Sequence, residues 1–174
     1  RDPGASDPGD AREGGDMSDI DLDAAAAEYA EATAFFLDCA ARITTDNIDN
    51  HAAGEWSARQ CVHHVADSEA QSYARLRRLL AEPDPVIQGY DEGAWAIAPL
   101  LGYADLPIDN SLAVFAAVRA ASLDVIRRLS PEDLDRAGTH SEAGRYDVRT
   151  WLRLYGRHPI EHGEQLLRAL RGEA

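Results

Sequence analysis

Between Pro83 and Pro107 the chain carries four prolines and three glycines: Pro83, Pro85, Gly89, Gly93, Pro99, Gly102 and Pro107. Proline lacks the amide donor a helix needs and restricts the residue before it, so no long helix crosses this interval. Only Asp91 to Ala98 has room for one or two turns. On both sides the pattern is the opposite. Leu22, Ala26, Tyr29, Thr33, Phe36, Ala40 and Ile43 recur at alternating steps of four and three, which predicts a helix over about residues 19–43. Ser57-Ala58-Arg59-Gln60 has the form of a capping box, with Trp56 placed as a hydrophobic staple, and opens a second helix through Val62, Val65, Tyr73, Leu76 and Leu79 to about Leu80. Beyond the interval, Asn110 or Ser111 caps a third helix carrying Phe115, Val118, Ser122, Val125 and Leu129. Ser130-Pro131-Glu132-Asp133 opens a short extra turn, and Asp147 caps a fourth helix from Val148 to about Leu170. No run alternates as a strand does. The expectation is an all-α domain over residues 19–174: a four-helix bundle with one long crossover between its second and third helices. Residues 1–18, rich in Gly, Pro and Asp, read as a disordered acidic leader.

Charge narrows what such a bundle does. Seventeen basic residues against thirty-one acidic ones leave a formal charge of −14 over 174 residues, which disfavours nucleic acid and membrane surfaces as partners. All the basic residues are arginines, so Schiff-base and P-loop lysine chemistry is excluded. The two cysteines, Cys39 and Cys61, form no Cys-x-x-Cys motif or disulfide framework, and the expected compartment is a reducing cytoplasm.

Among six histidines, His158 and His162 stand at an i, i+4 spacing that stacks two imidazoles on one helix face, as a shared metal ion requires. Trp151, Leu154, Tyr155, Gln165, Leu166 and Ala169 share their stripe, so both rings point into the bundle. Two buried imidazoles need hydrogen bonds or a cation. A third ligand has to come from His63 or His64 on the second helix. His64 borders the apolar stripe and His63 points further outward, while periodicity alone slightly favours a solvated doublet. Pro159, between the paired histidines, deletes a helix hydrogen bond and is expected to kink the helix there.

Trp56-Ser57, His64-Val65-Ala66-Asp67-Ser68-Glu69, Arg75, Tyr90-Asp91-Glu92, Trp95-Ala96, and His158-Pro159-Ile160-Glu161-His162 with Gln165 together resemble the DinB-like superfamily, in its YfiT and bacillithiol S-transferase branch. The resemblance covers roughly residues 20–171. It implies that His64, His158 and His162 bind one divalent metal, zinc or nickel. Three protein ligands leave a coordination position open, the arrangement of a catalytic metal.

An open metal lowers the pKa of bound water or of a bound thiol. The resemblance implies the second use: a metal-dependent S-transferase joining a low-molecular-weight thiol such as bacillithiol to an electrophile. Abundant Arg and Ala without Lys hint at a high-GC genome and hence at mycothiol. The alternative from the residues is a metal-dependent hydrolase, for which Asp67 and Glu161 are the nearest acids in sequence, or a stress-associated metal-binding protein without activity. Asp67, Glu161 and Gln165 are candidates to orient the ligands. Glu69, centred on an apolar stripe, implies a buried carboxylate paired with an arginine. Cys61 reads chiefly as a small buried hydrophobe, and Arg75, Arg153 and Arg157 are candidates to face an anionic thiol. Resemblance also implies a homodimer, with Trp95 or Tyr103 at its contact.

Overall fold

The computed structural model describes residues 20–174. The expected leader at residues 1–18 lies outside the described residues. Helix α1 (Leu22–Ala40) begins where the Asp21 carboxylate accepts from the amides of Asp23 and Ala24. Helix α2 (Ala58–Ala81) begins at the expected capping box: Ser57 Oγ accepts from the Gln60 amide at 3.2 Å, and Gln60 Oε1 accepts from the Ser57 amide at 3.0 Å.

The crossover to the third long helix contains strand β1 (Val86–Ile87), the short helix α3 (Glu92–Ile97) and a 3₁₀ turn at Pro99–Leu101. Helix α4 (Asp109–Ile126) departs from the expected capping. The helix starts earlier than expected, so Ile108 occupies the cap position with no side-chain bond, Asn110 and Ser111 fall inside the first turn, and the Ser111 hydroxyl lies 2.8 Å from His63 Nδ1. After a 3₁₀ turn at Pro131–Asp135 come two strands, β2 (Ala137–His140) and β3 (Gly144–Asp147). Helix α5 (Val148–Leu170) starts at its Asp147 cap, whose carboxylate accepts from the Thr150 amide.

The strands correct the sequence reading. β1 pairs parallel to β2, and β2 pairs antiparallel to β3. Segments of two and four residues are too short to show a period of two, and β1 finds its partner β2 only about fifty residues further along the chain. Gly138 is required there, because a Cβ would collide with the Pro85 carbonyl of the approaching crossover. The fully buried Ile87 pins the crossover to the bundle.

α1 packs against α4 and α5, and α2 packs against the same two, so the cyclic order is α1, α4, α2, α5. Consecutive helices α1 and α2 therefore stand at opposite corners. The core falls into two apolar clusters, one around Tyr29, Leu76, Ile126 and Trp151 and one around Phe36, Val65, Phe115 and Leu166. Between these, each helix contributes a polar residue: Thr33, Glu69, Arg119 and His158. That polar layer positions the site. Among the described residues no helix is long and apolar enough to cross a membrane.

Candidate metal centre

His64, His158 and His162 each offer a ring nitrogen, and the three nitrogens lie within 4.8 Å of one another. His64 Nε2 and His162 Nε2 are 3.2 Å apart. Tetrahedral zinc with bonds of about 2.0 Å holds its ligand atoms about 3.3 Å apart, so this pair already stands at the separation an ion would set. Desolvation, added to by the neighbouring imidazoles, pushes His64 far below the usual histidine range and His162 down to about 3. Both rings are neutral at pH 7, the form that coordinates a metal. His162 Nδ1 lies 2.8 Å from Gln165 Oε1, which places the proton on Nδ1 and leaves Nε2 with its lone pair toward His64. His64 is fully buried and its Nδ1 has no hydrogen-bond partner. The two neutral Nε2 atoms that face each other across 3.2 Å would be reconciled by a cation between them, and the residues present fit one.

The supports of the histidines come from all four long helices. His158 Nδ1 lies 3.4 Å from Glu69 Oε1 on α2, without the alignment of a hydrogen bond. Glu69 Oε1 also accepts from Arg119 Nη1 at 3.2 Å, the buried carboxylate–arginine pair that the sequence implied. Arg119 then donates from Nε to Thr33 Oγ1 at 2.8 Å, from Nη2 to the Tyr29 carbonyl at 2.6 Å and from Nη1 to the Tyr155 carbonyl at 2.7 Å. The last bond explains how Pro159 is tolerated. Proline at position 159 cannot donate to the carbonyl four residues earlier, which is that of Tyr155, and Arg119 takes the vacated acceptor. α5 continues through Pro159 to Leu170. On the other side of His162, Gly163 lets α1 approach: a Cβ would sit 2.7 Å from Phe35 Cε1.

Other residues singled out by the sequence are placed differently. His63 is buried, not outward: its Nδ1 meets Ser111 Oγ and its Nε2 lies 3.2 Å from the Leu106 carbonyl, because the crossover covers that face of α2. Asp67 accepts from the Tyr103 hydroxyl at 2.7 Å, so Tyr103 is buried in its own chain and does not stand on the surface as a dimer contact would. Glu161 points to solvent, 3.6 Å from Arg157. Of the candidate orienting groups, only Gln165 touches one of the three histidines. Arg153 is an exposed helix-surface residue, and Arg75 is buried. Burial pushes the Cys61 thiol up to about 12, consistent with an inert hydrophobe.

Three contributors escaped the sequence reading. Glu92, on α3, brings Oε2 within 3.9 Å of His64 Nε2 and is a second acid beside the site, more exposed than Glu69. Trp56 lies against His64 with ring centroids 4.8 Å apart. Arg119 binds the whole layer together. Glu92 and Trp56 belong to the motifs that carry the resemblance, and Trp56 reads as a staple of the second helix, but neither position announces its place beside His64. Arg119 gave no signal.

A family model described as the DinB superfamily matches residues 28–166. A protein from Oceanobacillus iheyensis named "Putative metal-dependent hydrolase" is 36% identical over 116 residues, 65% of this chain and 66% of that protein. One of the same name from Bacillus mycoides is 35% identical over 112 residues, 63% of each. This chain thus spans about two thirds of the length of those relatives. The solved structure of YfiT from Bacillus subtilis, described as a probable metal-dependent hydrolase with an unusual four-helix bundle topology, matches with a TM-score of 0.81 and 25% identity. That match covers 93% of this chain and 95% of YfiT.

Proposed function

This chain belongs to the DinB superfamily, and from that premise we propose that it is a metal-dependent enzyme whose ion is held by His64, His158 and His162, with hydrolysis as its reaction. The single observation that carries the reading is Glu92 Oε2 at 3.9 Å from His64 Nε2, a carboxylate beside three converging imidazoles. A divalent ion with an open position supplies Lewis acidity and eases ionisation of a nucleophile. Water attacking an electrophile still has a proton to lose, and Glu92 is placed to receive it. A thiol ionises outright on a metal and needs no such base, so the carboxylate favours water. Glu69 keeps His158 aimed, Gln165 keeps His162 in one tautomer, and Trp56 closes the side of His64. The hydrolase names of the relatives agree with this reading.

Transfer of a low-molecular-weight thiol, bacillithiol or mycothiol, is the second reading. It is favoured by the motifs shared with the S-transferase branch, and both thiols of this chain are buried, so the thiol would come from solution. Zinc or nickel suits three imidazoles. A cytoplasmic location fits two unpaired cysteines, and a homodimer follows from the resemblance.

The test is metal content of the purified protein, followed by consumption of a panel of esters, amides and alkylating electrophiles with and without added thiols. Turnover without thiol that falls about 10²-fold or more in Glu92→Gln at unchanged metal stoichiometry supports the hydrolase. Strictly thiol-dependent turnover transfers the conclusion to the second reading, and a metal-free, inactive protein removes both.

A further inference from the structure

Arg75 on α2 is a buried arginine that the metal-site network does not use. Its Nη1 donates to the Tyr155 hydroxyl and its Nη2 to the Gln88 carbonyl, each at 2.9 Å, while its Nε has no partner. The Tyr146 hydroxyl leans toward Arg75 without completing a hydrogen bond, and the Tyr90 hydroxyl, facing Ser68, is likewise without one. The groups nearest the guanidinium are thus a carbonyl and three phenols, all neutral, while the carboxylates of Glu92 and Glu69 lie near Tyr90 and Tyr155 and make no ion pair with Arg75. A buried cation with neutral neighbours and unused donors is costly to keep unless an anion joins it. Water can satisfy the donors, but it brings no charge.

We infer that Arg75, Tyr90 and Tyr146 form an anion subsite beside the metal centre, which anchors the carboxylate of a small-molecule substrate. The chemistry selects the anion. One guanidinium charge and three free donors, Arg75 Nε and two phenol hydroxyls, match the single charge and the acceptor pairs of a carboxylate. A phosphate dianion would leave one charge uncompensated. One contact and one chain connection tie the subsite to the metal centre. Tyr155, which accepts from Arg75, meets the His158 ring edge-on at 5.8 Å between centroids. Tyr90 stands two residues before Glu92, at the start of α3. A substrate held there by its carboxylate directs its remaining atoms toward the histidines. As the substrate anchor, the subsite rests on the enzymatic reading above.

The test uses the arginine Nε–H resonances of the full ¹⁵N-labelled chain, metal-free and metal-loaded. Arg75 is identified by the signal missing in Arg75→Lys. Acetate is expected to shift that signal saturably in both forms, while acetamide, of the same shape without charge, and sodium chloride do not. Tyr146→Phe and Tyr90→Phe, which keep the ring, are each expected to weaken acetate binding about tenfold. If Arg75→Lys does not fold, selective broadening of one Nε–H signal by acetate, lost in Tyr146→Phe, serves instead. A shift that does not saturate, or that acetamide or chloride reproduces, overturns the subsite. The readout needs neither metal nor turnover, so either conclusion can fail without the other.

Discussion

Arg119 and Arg75 are both withdrawn from water, yet Arg119 meets a carboxylate and three further acceptors on three other helices, whereas Arg75 meets a phenol and a carbonyl and leaves a donor unused. One buried charge is compensated within the fold. The other is not. Satisfying every nitrogen of a buried cation, a carboxylate among the acceptors, turns it into an architectural element, and leaving it short of an anion turns it into a candidate for binding. The contrast follows the position of each residue: Arg119 sits where the two apolar clusters meet, and Arg75 faces the crossover, the part of the chain that departs from the helical pattern of the bundle.

The largest expected effect breaks the compensated side. Arg119→Met leaves the buried Glu69 carboxylate without its cation and the Tyr155 and Tyr29 carbonyls without a shared donor. Its cost is about 3–5 kcal/mol of unfolding free energy, read from urea denaturation. Adding Glu69→Leu to that variant should recover part of the loss, since the second substitution removes the stranded charge. Equal costs for the single and double variants would mean that the pair is not the unit it resembles.

A second effect sharpens the link from Arg119 to the metal centre. Glu69→Gln removes the negative charge 3.4 Å from His158 Nδ1 and is expected to weaken binding of zinc about 10- to 100-fold, measured by competition with a chelating dye. Unchanged affinity would leave Glu69 as a counter-ion to Arg119 alone.

How much of this was legible in the sequence depended on how local the cause was. Ser57 with Gln60, and Asp147, announced the starts of α2 and α5, because a cap is satisfied within one turn. The i, i+4 spacing of His158 and His162 and the oddness of Glu69 in an apolar stripe were likewise written in short windows. Arg119 was not. The buried face of α4 runs through Phe115, Arg119, Ser122 and Ile126, but a reading that rewards apolar residues steps to Val118 and passes the arginine by. His63 was set outward for a related reason: periodicity assumes one buried face, and the first turns of α2 are covered on a second face by residues some forty positions later. Glu92 reaches His64 through the crossover, and no local pattern encodes that contact.

The smallest effect tests the uncompensated side. Arg75→Met deletes two hydrogen bonds of 2.9 Å, to the Tyr155 hydroxyl and the Gln88 carbonyl. Each is worth about 1 kcal/mol or somewhat more where the donor is charged. The same substitution releases a buried charge from its desolvation penalty and fills the space with an apolar chain of similar length. These terms oppose each other, so the unfolding free energy is expected to change by only about 1 kcal/mol, in the same urea titration that registers the loss in Arg119→Met. Metal stoichiometry should stay that of the unsubstituted protein, because Arg75 touches none of the three histidines. A cost for Arg75→Met as large as that for Arg119→Met would show that both arginines are structural keystones, and the contrast between them would collapse.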